Sequence, residues 1–257
     1  AMMIKAYIDA YMAFDNPEYI KTAFAATEII EKHFKKEDGG LYHTYKKGRA
    51  KINGLVDDYA CMISAYLALY SSTLNDDWLL RANEITRYVI KHFHDQKSGM
   101  FFYTSDENEV LITRKTEVFD NVIPSSNSIM ARNMKKLAFY FTNKEYEGIS
   151  KQMLFNMENQ MVDYGSGYSN WAHLMLDFLD HNYEIVICGK DAISKLKELQ
   201  KNYSPNILWA GTTKRNDHFS FLKSRFITDK TFIYVCKNNT CQLPLEKVSE
   251  VKNILNN

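Results

Sequence analysis

The chain has 257 residues, 46% hydrophobic and 25% charged, with a net charge of +1, enough apolar content for a substantial core and too much for a disordered chain. No apolar run approaches the roughly 20 residues that span a bilayer, and the chain does not open on a secretory signal. Four scattered cysteines are too few for a disulfide scaffold, so a soluble protein of the reducing cytoplasm is expected. Charge divides unevenly: residues 1–182 carry 20 basic and 24 acidic side chains, and residues 183–257 carry 12 and 7. The basic tail has no dense Lys/Arg run and no aromatic-interleaved RNA motif, so neither nucleic acid nor membrane is an expected partner.

A unit recurs along the first two thirds of the chain. Tyr19 precedes Gly40, Trp78 precedes Gly99 and Tyr146 precedes Gly167, each by 21 positions, and the units begin 59 and 68 residues apart. Such spacing exceeds that of common solenoids and suits a helical hairpin followed by a long loop. Each unit opens on a capping turn: Asn16-Pro17-Glu18, Asn75-Asp76-Asp77 and Asn143-Lys144-Glu145. Apolar stripes at helical spacing, such as Tyr59, Met62, Ile63, Tyr66 and Tyr70, follow or precede these turns. The pattern predicts helices over 3–14, 17–36, 55–73, 76–94, 125–141, 144–160 and 168–180.

Two long connections carry strand-like segments, Leu41 to Tyr45 with Ala50 to Ile52 and Met100 to Thr104 with Val110 to Thr113, each predicted to form a small hairpin. The fold class expected is mainly α, a partial (α/α) toroid of helical hairpins over 1–180, with a small α/β appendage over 181–257. In the appendage, strands are predicted at Tyr183 to Cys188, Ile207 to Ala210 and Thr231 to Cys236, and helices at Ala192 to Lys201 and Leu245 to Leu255. Short turns at one end and long loops at the other give the array two unlike faces, and a binding site is expected on the long-loop face.

Two segments place polar groups where a long loop enters a helix: Leu55 to Ala60 (LVDDYA) and Glu117 to Ser128 (EVFDNVIPSSNS). In the first, one of Asp57 and Asp58 caps the helix while the other points into a cleft. In the second, Ser125 and Asn127 supply a hydroxyl and an amide near the helix start, with Glu117 and Asp120 before it. If both starts face one hollow, Asp57, Asp58, Glu117 and Asp120 are the catalytic candidates. Paired carboxylates serve glycoside hydrolysis, with retention at about 5–5.5 Å separation and inversion at roughly 6.5–9.5 Å. Tyr59, Ser125 and Asn127 would orient sugar hydroxyls. His43, in a loop, and His173, in the last toroid helix, are further substrate-binding candidates, because sugar epimerisation needs a base and an acid. Capping and loop anchoring compete with these roles, since acids at helix starts are common. His33, His92 and His94 lie at helix ends, where charge complements the dipole, and are set aside.

No metal motif, phosphate-binding glycine loop or G-x-S-x-G elbow occurs, so no metal or cofactor is expected. Cys236 and Cys241, four residues apart, are expected to be packed thiols.

LVDDYA, the Pro124-Ser125-Ser126-Asn127 core and the segment Tyr234 to Pro244 (YVCKNNTCQLP) together resemble the C-terminal part of the spermatogenesis-associated protein 20 family, also described as thioredoxin-domain-containing proteins. The resemblance spans nearly the whole chain. It implies a six-hairpin toroid similar to those of glycosidases and N-acylglucosamine 2-epimerases, with a carbohydrate-type cavity, fused in the family to a thioredoxin-like domain. The function expected is binding or processing of a carbohydrate, the alternative being a noncatalytic scaffold that works with a thioredoxin-like domain. Seven predicted helices fall short of six hairpins, so open ends are expected to expose apolar surface and to self-associate.

Overall fold

Each helical hairpin turns on the same two-residue device. Asp15, Leu74 and Thr142 adopt the left-handed conformation (φ 51°, 54° and 50°) and end a helix, and an asparagine follows each. Asn16 Oδ1 accepts from the amide of Glu18 at 3.0 Å, Asn75 Oδ1 from that of Asp77 at 3.2 Å, and Asn143 Oδ1 from those of Glu145 and Tyr146 at 2.8 and 3.2 Å. An asparagine side-chain oxygen thus satisfies one or two of the free N–H groups of each outgoing helix, which is why the repeat begins where it does.

The computed structural model describes residues 1–108, 113–179, 183–202, 204–237 and 240–255. Its helices are α1 (Met2–Phe14), α2 (Pro17–His33), α3 (Val56–Thr73), α4 (Asp77–Phe93), α5 (Ser126–Phe141), α6 (Lys144–Asn156), α7 (Glu158–Asp163) and α8 (Ser169–Phe178), followed by α9 (Ala192–Gln200) and α10 (Val248–Leu255) in the tail. The pairs α1/α2, α3/α4 and α5/α6 are antiparallel hairpins, and α1, α3, α5 and α8 lie side by side as an inner row. Central position explains α3: Tyr59, Ile63, Leu69 and Tyr70 are all fully buried, so this helix is apolar around most of its circumference. The expected helix over 144–160 is broken instead at Met157, whose φ of −101° and ψ of 0° leave the helical region.

Long loops return the chain from each outer helix to the next inner one. The first contains the hairpin of β1 (Tyr42–Lys46) and β2 (Arg49–Asn53), paired Tyr42 to Asn53 and Lys46 to Arg49. The second differs from expectation. Its strand β4 (Met100–Phe101) pairs with β3 (His94–Asp95) across a tight turn at Gly99 (φ +72°), while Phe102 bridges Thr116. Of the partner segment expected over 110–113, residues 110–112 lie outside the described residues.

The tail forms one sheet in the order β6-β5-β7-β8: β5 (Tyr183–Cys188), β6 (Ile207–Thr212), β7 (Phe232–Lys237) and β8 (Thr240–Cys241). β5 and β6 are parallel and joined through α9, and β7 runs antiparallel to β5. The sheet docks on the short-turn end of the hairpins. Tyr70 donates to the Gly211 carbonyl at 3.3 Å, Tyr140 to the Trp209 carbonyl at 2.9 Å, and Gln200 Nε2 to the Ser71 carbonyl at 2.8 Å. A Cβ at residue 211 would lie 2.2 Å from the Ile187 carbonyl oxygen, so only glycine permits this approach. Cys236 and Cys241 are not separate packed thiols: antiparallel pairing of β7 with β8 sets them directly opposite and they form a disulfide, leaving Cys61 and Cys188 free. Among the described residues no helix is long and apolar enough to cross a membrane.

Candidate functional site

With the tail on the short-turn end, the N-terminal ends of α1, α3 and α5 meet at the long-loop end. A cavity of about 260 Å³ opens there, walled by Phe34, Leu41, Met62 and Ile129, with His43, Asp57, Asp58 and Glu117 supplying its polar groups. The start of α3 sets the geometry. Asp58, in the first turn, reaches back to accept from the Leu55 amide at 2.9 Å, and the same oxygen receives His43 Nδ1 at 2.7 Å. This is the return half of a capping box, with a histidine added from β1. Gly54 permits the entry, since a Cβ there would lie 2.8 Å from the Leu41 carbonyl oxygen.

Asp57 is partly buried beside Asp58. Its Oδ1 accepts from the Asp58 amide at 3.0 Å and its Oδ2 from the Tyr103 hydroxyl at 3.1 Å. Burial, and then the neighbouring Asp58 charge, push the Asp57 carboxyl above its usual range, against the pull of the Tyr103 hydroxyl. The hydrogen bond and charge of Asp58 raise the His43 imidazole, while burial opposes. Tyr103 is itself pushed up by burial and by Asp57 and so holds its proton. Burial likewise raises the Cys61 thiol at the cavity floor to about 11, which rules it out as a thiolate nucleophile at neutral pH. The arrangement therefore offers a protonatable imidazole on a carboxylate, an acid biased toward its neutral form, and the exposed carboxylate of Glu117. Glu117 Oε2 accepts from the Ser126 amide at 3.1 Å and also borders a second concavity of about 390 Å³ lined by Tyr103, Lys115 and Phe119.

The remaining sequence candidates lie elsewhere. Asp120 is 6% exposed and its carboxylate is consumed by the Ser125 amide at 2.9 Å, the Ser128 hydroxyl at 2.8 Å and the Asn170 amide at 2.8 Å. Asn127 clamps the chain, accepting from the Phe101 amide and donating to the Phe101 and Glu117 carbonyls. Ser125 is the buried cap of α5, bonded to the Ser128 amide. Tyr59 is buried, takes the Leu41 amide at its hydroxyl and stacks on Tyr88. His173 stands exposed on α8, away from the cavity lining. The structure places Asp57, Asp58 and Glu117 on one cavity lining, and Asp120 lies apart because α8 claims its second oxygen. Tyr103 is the residue the sequence reading passes over; it stands in the run Met100-Phe101-Phe102-Tyr103, and its hydroxyl is the only feature that marks it out from its neighbours. No cluster of three metal-ligating side chains occurs among the described residues.

Residues 3–124, which include the three acids of the cavity, match the profile of the N-acylglucosamine 2-epimerase (GlcNAc 2-epimerase) family. A sugar epimerase from a ruminal bacterium superposes with a TM-score of 0.50 at 18% identity, covering 61% of this chain and 42% of that one. A GH76 α-mannanase from Bacteroides thetaiotaomicron superposes with a TM-score of 0.55 at 14% identity, covering 82% and 61%. The fold is that of these helical toroids. Over 99% of its length the chain is 25% identical to mouse spermatogenesis-associated protein 20, and over 79% it is 25% identical to the human protein. It spans 35% and 27% of the lengths of those two relatives, about a third.

Proposed function

We propose that this chain binds a carbohydrate at the α1/α3/α5 cavity and acts on it by acid–base chemistry. The observation that carries the reading is the meeting of the His43–Asp58 pair, the raised Asp57 carboxyl and Glu117 at one cavity. At about 260 Å³ the cavity is just below the ~300–1,000 Å³ of ordinary ligand pockets, which suits a single sugar ring. Its apolar wall supports the ring faces, and its carboxylates accept from hydroxyls. An imidazole held on a carboxylate beside a neutral-biased acid can remove a proton and supply one, the requirement of sugar epimerisation. The shared fold of a sugar epimerase and an α-mannanase is consistent with a sugar ligand, and one fold hosts many chemistries.

Saturation-transfer NMR with a panel of mono- and disaccharides tests the reading. Binding is expected in the wild type and is expected to weaken about tenfold or more, roughly 1.4 kcal/mol, in Asp57→Asn and Asp58→Asn. Incubation of the bound sugar in deuterated water then reads carbon-bound exchange, expected in the wild type and absent in both variants. A folded wild type that engages no sugar of the panel removes the proposal.

A second reading is supported by a separate observation. Phe155, Val162 and Tyr164 are 71%, 83% and 55% exposed, and Leu176 and Leu179 beside them on the α8 side are 45% and 54% exposed. These exposed apolar side chains on the α6–α8 end of the hairpin row fit a noncatalytic scaffold that docks a second copy of this chain.

A further inference from the structure

The tail contains a site unrelated to the sugar cavity. β8 is the edge strand of the sheet, and the Cys236–Cys241 disulfide ties it to β7. The two cysteines differ in access: Cys236 is 2% exposed, whereas Cys241 is only partly buried. The Arg225 guanidinium spans the bond, with Nη1 3.8 Å from Cys236 Sγ and Nη2 3.3 Å from Cys241 Sγ. Arg225 is held in place by the Tyr234 ring, 4.8 Å from its guanidinium carbon, and by the Tyr234 hydroxyl, which donates to its carbonyl at 3.2 Å. A disulfide needs no hydrogen-bond donor, but a departing thiolate does, and a fixed cation beside both sulfurs stabilises the charge that develops when the bond opens.

We infer that the Cys236–Cys241 pair is a reversible dithiol–disulfide exchange site, with Cys241 as the sulfur attacked and Arg225 as a positioning residue that stabilises the thiolate leaving at Cys236. The co-reactant is a dithiol. One of its thiolates attacks Cys241 Sγ, the Sγ–Sγ bond breaks, and the electron pair leaves on Cys236 Sγ beside Arg225. The second thiol of the reductant then attacks the mixed disulfide, releases the Cys241 thiolate and departs as an intramolecular disulfide. Two electrons and two protons pass from the dithiol to the pair, and oxidised dithiol reverses the exchange. The two other cysteines do not compete. Burial raises the Cys188 thiol to about 12 and the Cys61 thiol to about 11, so both stay protonated.

The test is native-state alkylation with iodoacetamide before and after dithiothreitol, read by peptide mass spectrometry, with far-UV circular dichroism recorded alongside. Without reductant, Cys236 and Cys241 are expected to stay unlabelled. With it, Cys241 is labelled while the helical signal is unchanged, and oxidised dithiothreitol restores protection. Arg225→Gln is expected to slow native reduction roughly three- to tenfold and Arg225→Lys to recover part of the rate, because the leaving thiolate loses or keeps its neighbouring charge. Labelling without reductant, reduction that occurs only after unfolding in urea, or a folded Arg225→Gln that reduces as fast as wild type would each overturn the inference.

Discussion

Replacing Asp120 with alanine tests the division between acids that serve the cavity and acids that hold the fold. The carboxylate receives three donors, and two of them, the amides of Ser125 and Asn170, are buried backbone groups with no other acceptor among the described residues. Each buried donor left without a partner costs about 1–3 kcal/mol, and bonds to a charged group lie at the upper end of the net range for hydrogen bonds. Partial entry of water offsets some of this, so the expected loss is about 3–5 kcal/mol. For a chain of this size that corresponds to a fall in Tm of roughly 6–20 °C. Asp120→Asn keeps one carbonyl oxygen for Ser125 and Ser128 but turns an amide N–H toward the Asn170 amide, so its cost is expected to be intermediate. Urea unfolding followed by tryptophan fluorescence reads both variants. Trp171 is a local reporter, since it neighbours Asn170, is fully buried and donates to the Val118 carbonyl at 2.8 Å. If Asp120→Ala unfolds within about 1 kcal/mol of wild type, the structural assignment of this acid fails.

Asp57→Asn is expected to act in the opposite direction. Its carboxyl is raised in the folded chain, so the folded state binds the proton more tightly than the unfolded state, and stability is lost as pH rises from the unfolded pKa through the folded one. The variant lacks that loss, so thermal melts from about pH 3 to pH 8 should show it more stable than wild type at neutral pH, with the advantage vanishing at the acid end; an advantage independent of pH would contradict the assignment. For the scaffold reading, sedimentation equilibrium should show concentration-dependent association of the wild type through the α7–α8 surface. Val162→Asp combined with Leu176→Asp should raise the dissociation constant about tenfold or more; a wild-type monomer at every concentration would refute it.

The hairpin array is legible in the sequence because its signals are local. An asparagine caps each outgoing helix within three residues, and apolar residues recur at helical spacing on α3 and α4. What escapes is set by residues far apart in the chain. Asp57 and Asp120 look alike as acids at the mouth of a helix, and only the position of Asn170, 50 residues from Asp120, turns the latter into a buried brace. Asn127 reads as a free amide until Phe101 is laid beside it. The β3–β4 pairing escapes the sequence because it needs the chain to reverse at Gly99 as soon as α4 ends, which leaves Met100 and Phe101 opposite Asp95 and His94. The break at Met157 has no glycine or proline to announce it. The disulfide requires β8, a two-residue strand too short to leave a period in the sequence.

The location of the cavity follows from which end of the inner helices the tail covers. Tyr70, Tyr140 and the Ser71 carbonyl are spent on the sheet and α9 at the C-terminal ends of α3 and α5, so those ends are closed. The open ends are the N-terminal ones, where free N–H groups and the helix dipole favour negative charge. Asp57, Asp58 and Glu117 collect there, and Asp58 and Glu117 satisfy amides at the starts of α3 and α5. Two features distinguish Asp57 and Asp58 from plain caps. Burial, and then the Asp58 charge, raise Asp57 against the pull of the Tyr103 hydroxyl, and β1 delivers His43 to Asp58 from another part of the chain. A cap needs neither a raised acid nor an imidazole, whereas the proton transfer proposed for this cavity uses both.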